Sequence, residues 1–141
     1  MKNYINIFCL FALASLLQSC ICSAYDKRLN AGYYLSAMDV KSDMEISYKD
    51  EQDYVFAIVN ATVFAVGQNN GFIIAKQHPK VSPTGMDKAV INFFIIPLKN
   101  KVSQTPEKNV YGPLTLVEFE QRRKKLNIEN IDFTIVFNDL E

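Results

Sequence analysis

The sequence predicts an α+β fold, in which a mainly antiparallel β-sheet of about five to seven strands packs against one C-terminal helix. Aromatic residues are frequent, with 10 Phe and 7 Tyr, and many stand beside β-branched residues, a mixture enriched in strands. Apolar segments in the middle of the chain alternate with turns rich in Asn and Gly, as consecutive antiparallel strands do. The hydrophobic period changes to that of a helix only after Pro113, so the helix is expected near the C-terminus.

The N-terminal residues have the order of a bacterial lipoprotein signal. One positive charge, Lys2, precedes an apolar run over residues 5–17, which has the length of a signal-peptide core and is too short to span a bilayer. Leu17-Gln18-Ser19-Cys20 then resembles a lipobox, the motif that the lipoprotein signal peptidase cuts once the cysteine sulfur carries diacylglycerol. We therefore predict a cleaved signal peptide over residues 1–19 and lipidation at Cys20.

Two other interpretations of this segment stay open. An ordinary signal peptidase could cut after Ala24, because Cys22-Ser23-Ala24 loosely follows a small-x-small pattern, or the apolar run could be a buried helix. Cysteine usage favours lipidation, since Cys9 would be lost with the signal, Cys20 would carry the lipid, and Cys22 would be the remaining thiol. One thiol cannot build a disulfide framework or a cysteine-based zinc site.

The mature chain has the length of one domain with a single core. Residues 20–30 show little periodicity and are predicted to be a tether, and residues 31–141 are predicted to be a single α+β domain. The full chain has 15 Lys and Arg against 15 Asp and Glu, which gives a formal net charge of zero. No basic field is therefore available to hold nucleic acid or an anionic membrane surface.

Most of the chain after the tether has the pattern of strands. The segments that alternate or are continuously apolar, and that we predict to be strands, are residues 32–38, 44–48, 54–59, 62–66, 72–76, 89–98 and 131–137. The turn at residues 67–71 is rich in Asn and Gly, which tolerate positive φ, so the strands on either side of it form a β-hairpin. Residues 90–96 form the most apolar run, which predicts a central strand covered on both faces.

A helix is predicted over residues 115–126. Thr115-Leu116-Val117-Glu118 has the pattern of a capping box, and Asn127 is suited to ending the helix in the left-handed conformation. The basic run at residues 122–125 is explained as a last turn that opposes the helix dipole, in preference to a nucleic-acid or lipid-headgroup patch. The apolar side chains expected to pack on the sheet are Leu116, Phe119 and Leu126.

Three segments together resemble an uncharacterised family of small bacterial envelope lipoproteins that carry a domain of unknown function. They are Phe72-Ile73-Ile74-Ala75-Lys76-Gln77, Tyr111-Gly112-Pro113-Leu114-Thr115 and Glu118-Phe119. In that family a strand of the first type follows a turn, and a Gly-Pro-Leu-Thr-x-x-Glu-Phe segment opens a helix near the C-terminus. The resemblance implies an envelope lipoprotein with a small α+β domain, and it supplies no activity and no functional residues.

The sequence contains no recognisable catalytic constellation. Its only histidine, His78, precedes Pro79 in a predicted loop and is expected to be solvated. A single histidine cannot assemble a histidine-based metal site, and the chain has neither a Gly-x-Ser-x-Gly elbow nor a phosphate-binding Gly-rich loop. We therefore predict no catalytic, cofactor-binding or metal-ligating residue, and no cofactor.

We expect a non-enzymatic lipoprotein of the bacterial cell envelope that binds a protein partner through its sheet, as an inhibitor, immunity or assembly factor. The outer membrane is favoured over the inner one, and a secreted or periplasmic protein is the alternative. The competing function is a periplasmic ligand-binding module or small hydrolase with a cleft at Lys76, Gln77 and His78. A filled core beside an exposed apolar strand edge would favour the partner, and an aromatic pocket around His78 would favour the cleft.

Overall fold

The computed structural model describes residues 24–83, 85–98 and 109–141. Within these ranges the N-terminal half forms a sheet of four antiparallel strands. They are β1 (Tyr25–Arg28), β2 (Tyr33–Ala37), β3 (Glu45–Lys49) and β4 (Val55–Val59). The strand order is β1-β2-β3-β4, so each strand pairs with the next one along the chain, and β1 and β4 are the two outer strands of this first sheet.

The C-terminal half forms a second antiparallel sheet and a helix. Its elements are β5 (Val63–Gln68), β6 (Phe72–Gln77), β7 (Asn92–Pro97), β8 (Tyr111–Leu114), the helix α1 (Leu116–Leu126) and β9 (Ile135–Val136). The strand order is β8-β7-β6-β5-β9. The predicted class of a mainly antiparallel fold with one C-terminal helix is confirmed. The described strands number four and five in two sheets, however, whereas the sequence predicted about five to seven in one.

Strand β1 lies in the segment that the sequence analysis predicted to be a tether. It pairs antiparallel with β2, so that Tyr25 lies opposite Ala37 and Arg28 opposite Tyr34. The Tyr25 ring packs edge-on against Phe137, with centroids 5.1 Å apart. Three of the four residues of β1 are charged, so the hydrophobic pattern did not indicate a strand. The prediction of a tether that reaches residue 30 is therefore wrong for this strand.

The second sheet is the middle layer of the fold, because alternate side chains of β6 and β7 face opposite sides. Those that cluster with buried residues of the first sheet are Ile73, Ala75, Phe94 and Ile96. Those that cluster with the helix are Ile74, Phe93 and Ile95. Strand β7 is thus covered on both faces, as predicted for the most apolar run. It begins only at Asn92, and Val90 and Ile91 before it are exposed.

The predicted hairpin is confirmed as β5 and β6. Its turn is held by the Asn69 side chain, whose Oδ1 accepts from the amides of Gly71 at 2.8 Å and Phe72 at 2.9 Å. On β5, Gly67 allows the backbone carbonyl of Asp132 to lie against the strand at a distance that a side-chain Cβ would not permit. This close approach brings the segment before β9 onto the edge of the second sheet.

The helix begins and ends as its sequence predicts. The Thr115 hydroxyl accepts from the Glu118 amide at 3.3 Å, and the Glu118 carboxylate accepts from the Thr115 amide at 2.8 Å, which completes the capping box. Asn127 ends the helix at a φ of 55°. Phe119 is buried, and Leu126 packs partly against the same cluster. The prediction that Leu116 packs on the sheet is wrong, because this first residue of the helix is 56% exposed.

Candidate functional site

His78 is part of the core, so the prediction of a solvated loop histidine is wrong. Its side chain is 1% exposed, and its ring stacks on Phe64 with centroids 4.3 Å apart. The His78 and Thr62 backbones exchange hydrogen bonds of 3.0 Å, so the antiparallel pairing of β5 with β6 continues past the end of β6. Nδ1 lies 2.7 Å from the carbonyl oxygen of Val90, and because a carbonyl can only accept, Nδ1 must carry the proton.

The two neighbours of His78 that were candidates for a cleft have other contacts. The Gln77 side chain donates to the carbonyl of Ala61 at 3.1 Å and accepts from the Asn92 amide group at 2.9 Å, so its hydrogen bonds tie the chain before β5 to the start of β7. The Lys76 ammonium lies 4.8 Å from the centroid of the Phe133 ring, a cation–π contact on the helix side of the sheet. The structure therefore does not bring Lys76, Gln77 and His78 together around a cleft.

Cys20, the predicted lipidation site, lies outside the described residues. Among the residues that the structure does describe, no helix is long and apolar enough to cross a membrane. The same residues contain no group of three or more His, Cys, Asp or Glu placed to hold a metal ion.

An open concavity of about 480 Å³ lies on the side of the first sheet that faces away from the second sheet. We call this surface the outer face. Its lining residues come from all four strands and the adjoining turns, and they are Asp26, Tyr34, Ser36, Met38, Asp43, Glu45, Ser47, Lys49 and Val55. The register explains why they share a face, since Ser36 lies between Asp26 and Glu45 across the sheet. A second row runs from Tyr34 to Ser47, which is 4% exposed.

Once its ion pairs are taken into account, the outer face keeps two carboxylates among the described residues, Asp26 and Glu45, against one cation, Arg28, which lies opposite Tyr34. Asp43 pairs with Lys80, and the Lys49 ammonium lies 2.9 Å from the Asp53 carboxylate. Asp26 and Glu45 have no ion pair with any described residue. Burial raises the pKa of the Glu45 carboxyl, and the nearby charge of Asp43 raises this pKa further. A cation placed on this face would therefore relieve an unfavourable charge.

Comparison with protein-family models matches residues 30–140 to a family described as a protein of unknown function, DUF3997. The chain belongs to the DUF3997 family. The matched residues include both sheets from β2 onward and the helix, which confirms the resemblance to a family with a domain of unknown function. No curated protein and no solved structure matches the chain.

Several large apolar side chains of this DUF3997 domain are exposed on or beside its first sheet. They are Met38 at 64%, Val40 at 54%, Tyr54 at 66% and Val55 at 64%. The sequence does not indicate this surface, because residues 54–59 have the same apolar composition as a buried strand. The sequence feature that does indicate an exposed surface is the acidic turn at residues 50–53, because β4 begins shortly after this solvated turn. Single exposed apolar residues are ordinary, but Met38 and Val55 both line the concavity, which marks the outer face as a candidate interaction surface.

Proposed function

We propose that this protein is a non-enzymatic lipoprotein of the bacterial cell envelope, anchored through lipid on Cys20, which binds a protein partner with the outer face of its first sheet. The observation that carries the partner-binding role is the concave outer face, whose lining includes the exposed apolar side chains of Met38 and Val55 beside carboxylates that have no ion pair with a described residue. Such a surface costs solubility in a free protein, and a partner that covers it removes that cost. An inhibitor, immunity or assembly factor would work in this way.

The competing function, a ligand-binding or hydrolytic cleft at His78, has less support. A side chain that is 1% exposed and stacked on Phe64 offers no surface to a substrate. Its Nδ1 is occupied by the carbonyl of Val90, and its buried Nε2 has no hydrogen-bond partner among the described residues. General acid–base catalysis requires the catalytic nitrogen to lie within hydrogen-bond reach of the reacting group. His78 is better explained as a stacking partner within the core.

The proposed anchor would hold the domain close to the membrane. Strand β1 begins at Tyr25, so residues 21–24 would separate the lipidated Cys20 from the first sheet. Four extended residues span at most about 15 Å. A partner on the outer face would therefore have to lie at the membrane surface or be anchored there itself.

The anchor is tested by replacing Cys20 with Ser. We expect the variant to leave the membrane fraction and to lose the mass of the lipid, because the several acyl chains of a lipoprotein hold firmly where one chain holds weakly. Cys22→Ser is the matched control, since it removes a thiol two residues away and should fractionate as the wild type does. Membrane retention of the Cys20 variant at unchanged mass would contradict the anchor.

The partner-binding role is tested by chemical cross-linking in cells that express the native anchored chain. Met38→Lys places a cation on the outer face, and we expect it to abolish the cross-linked product because an exposed apolar contact becomes a charge that a partner would have to desolvate. Val117→Lys on the helix is the matched control, since Val117 is 66% exposed and Met38 is 64% exposed. A wild-type chain without any cross-linked product, or equal loss in both variants, would count against the proposed surface.

A further inference from the structure

We infer that β4 is a docking edge, at which an extended basic segment of the partner adds to the first sheet as a fifth strand. This inference rests on the proposed function, and it names the strand beside the outer face that the partner pairs with. In this mode of recognition, main-chain hydrogen bonds supply affinity and alternate side chains supply specificity.

Strand β4 differs from the other outer strands in having no device that blocks pairing. Natural sheets protect their edges with charges, prolines or very short strands. The outer strand β1 is charged at Asp26, Lys27 and Arg28. Strand β8 contains Pro113, and strand β9 is only two residues long. The sequence of β4, Val-Phe-Ala-Ile-Val, has neither a charge nor a proline. Among the described strands, β4 is thus the edge most open to an added strand.

The register identifies the backbone groups that are free to bind. In an antiparallel ladder, hydrogen-bonded pairs alternate with pairs whose N–H and C=O groups point away from each other. The Asp50 amide donates to the Tyr54 carbonyl at 3.0 Å, so the next pair, Lys49 with Val55, is of the second kind. Ala57, opposite Ser47, is two residues further on and is of the same kind. The N–H and C=O groups of Val55 and Ala57 therefore face the open side of β4.

The charge on the outer face determines which kind of partner segment can pair with β4. Val55 belongs both to β4 and to the wall of the concavity, so side chains of an added strand would continue the same surface. Asp26 and Glu45 have no ion pair with a described residue, whereas Lys49 is paired with Asp53. Where an added strand runs on past Val59, it comes within two strand spacings, about 10 Å, of Glu45, a distance that a lysine and a glutamate side chain together can span. The occupant is therefore a segment with alternating apolar residues and at least one Lys or Arg.

The raised pKa of Glu45 agrees with this choice of occupant. A half-buried carboxylate next to Asp43 is destabilised by incomplete solvation and by a like charge. A cation from the partner opposes both effects, and it acts on a part of the face that is already partly desolvated. Basic segments are therefore favoured over acidic ones of the same apolar pattern.

The test uses the full chain in detergent micelles and synthetic peptides of about nine residues that alternate Val and Thr, with Lys or Glu at the centre. Binding is followed by amide chemical shifts. We expect the Lys peptide to shift β4 amides and to bind about two- to fivefold more tightly than the Glu peptide, the range that exposed ion pairs produce. Ala57→Pro removes one free edge amide, and it should weaken the Lys peptide at least about tenfold. Glu45→Gln should remove the preference, and Val117→Lys should change nothing.

Several outcomes would overturn the docking edge. Two of them are binding results: the Lys peptide binds Ala57→Pro as tightly as the wild type, or the Lys and Glu peptides bind equally. A third is that the chemical-shift changes centre on β1, β8 or β9. The fourth is concentration-dependent dimerisation through β4 in sedimentation experiments, which would make a second copy the occupant. Cross-linking in cells separates this inference from the proposed function. If Met38→Lys abolishes the cross-linked product and Ala57→Pro does not, the outer face binds the partner without strand addition. If the wild type gives no product while the Lys peptide binds β4, the edge stands and the proposed function fails.

Discussion

Replacing Phe119 with Ala is expected to lower the free energy of unfolding by about 3 to 5 kcal/mol. Phe119 is 1% exposed and stacks on Phe93 with ring centroids 4.8 Å apart. A second aromatic contact, with Phe133, has centroids 6.2 Å apart. The truncation would leave a cavity between the second sheet and the helix, inside the cluster of buried side chains that Phe119 shares with Phe93. Denaturant unfolding measures the change directly.

The matched control for this prediction is Leu116→Ala on the same helix. Leu116 is 56% exposed, so we expect its truncation to change the free energy of unfolding by no more than about 0.5 kcal/mol. The comparison separates packing on the sheet from any general effect of the substitution on helix propensity. A change below about 1 kcal/mol for Phe119→Ala would show that the helix does not depend on this contact.

The parts of the fold that the sequence predicts correctly are those determined by nearby residues. The turn of the β5–β6 hairpin depends on Asn69 bonding to amides two and three residues away. The helix start depends on Thr115 and Glu118, which are three residues apart. Both features are stabilised by local hydrogen bonds, and so both can be predicted from short sequence patterns.

The parts that the sequence did not predict depend on distant residues. Strand β1 is charged and is a strand because its backbone pairs with β2 and Tyr25 packs on Phe137. The last strand was predicted over residues 131–137, but only Ile135–Val136 are in β9. His78 reads as a loop residue beside Pro79, and it is buried because Phe64 lies over its ring. No periodicity in the local sequence reports such contacts, which is also why one sheet was predicted where two are present.

The candidate site was missed for a related reason. Residues 54–59 were correctly predicted as a strand, but an apolar pattern cannot distinguish an edge strand from a central one. The edge position of β4 follows from the change of sheet between Val59 and Val63, which separates two strands that are adjacent in sequence. The acids Asp26 and Glu45 are likewise brought to one face only by the pairing of β1, β2 and β3.

Arg123 does more than oppose the helix dipole from the last turn, which is how the sequence explained residues 122–125. Its side chain is buried beneath the C-terminal segment, at 9% exposure. One guanidinium nitrogen, Nη2, donates to the carbonyl oxygens of Glu129 at 2.5 Å and Ile131 at 2.8 Å. The other, Nη1, lies 3.2 Å from the Glu120 carboxylate. Arg123 therefore holds the segment after the helix in place, because it donates hydrogen bonds to backbone carbonyls that lie outside any strand or helix.

Replacing Arg123 with Met is accordingly expected to lower the free energy of unfolding by about 2 to 4 kcal/mol, because the buried carbonyls lose their donor while the apolar volume is largely kept. Lys124→Met is the matched control, since this neighbour in the same basic run is exposed, and its effect should stay within about 0.5 kcal/mol. Arg123→Lys should fall between the two, because an ammonium keeps the charge but lacks the planar set of donors that reaches both carbonyls and Glu120. If Arg123→Met is as stable as the wild type in denaturant unfolding, packing rather than hydrogen bonding holds this segment, as happens where an apolar side chain replaces a buried charge without loss.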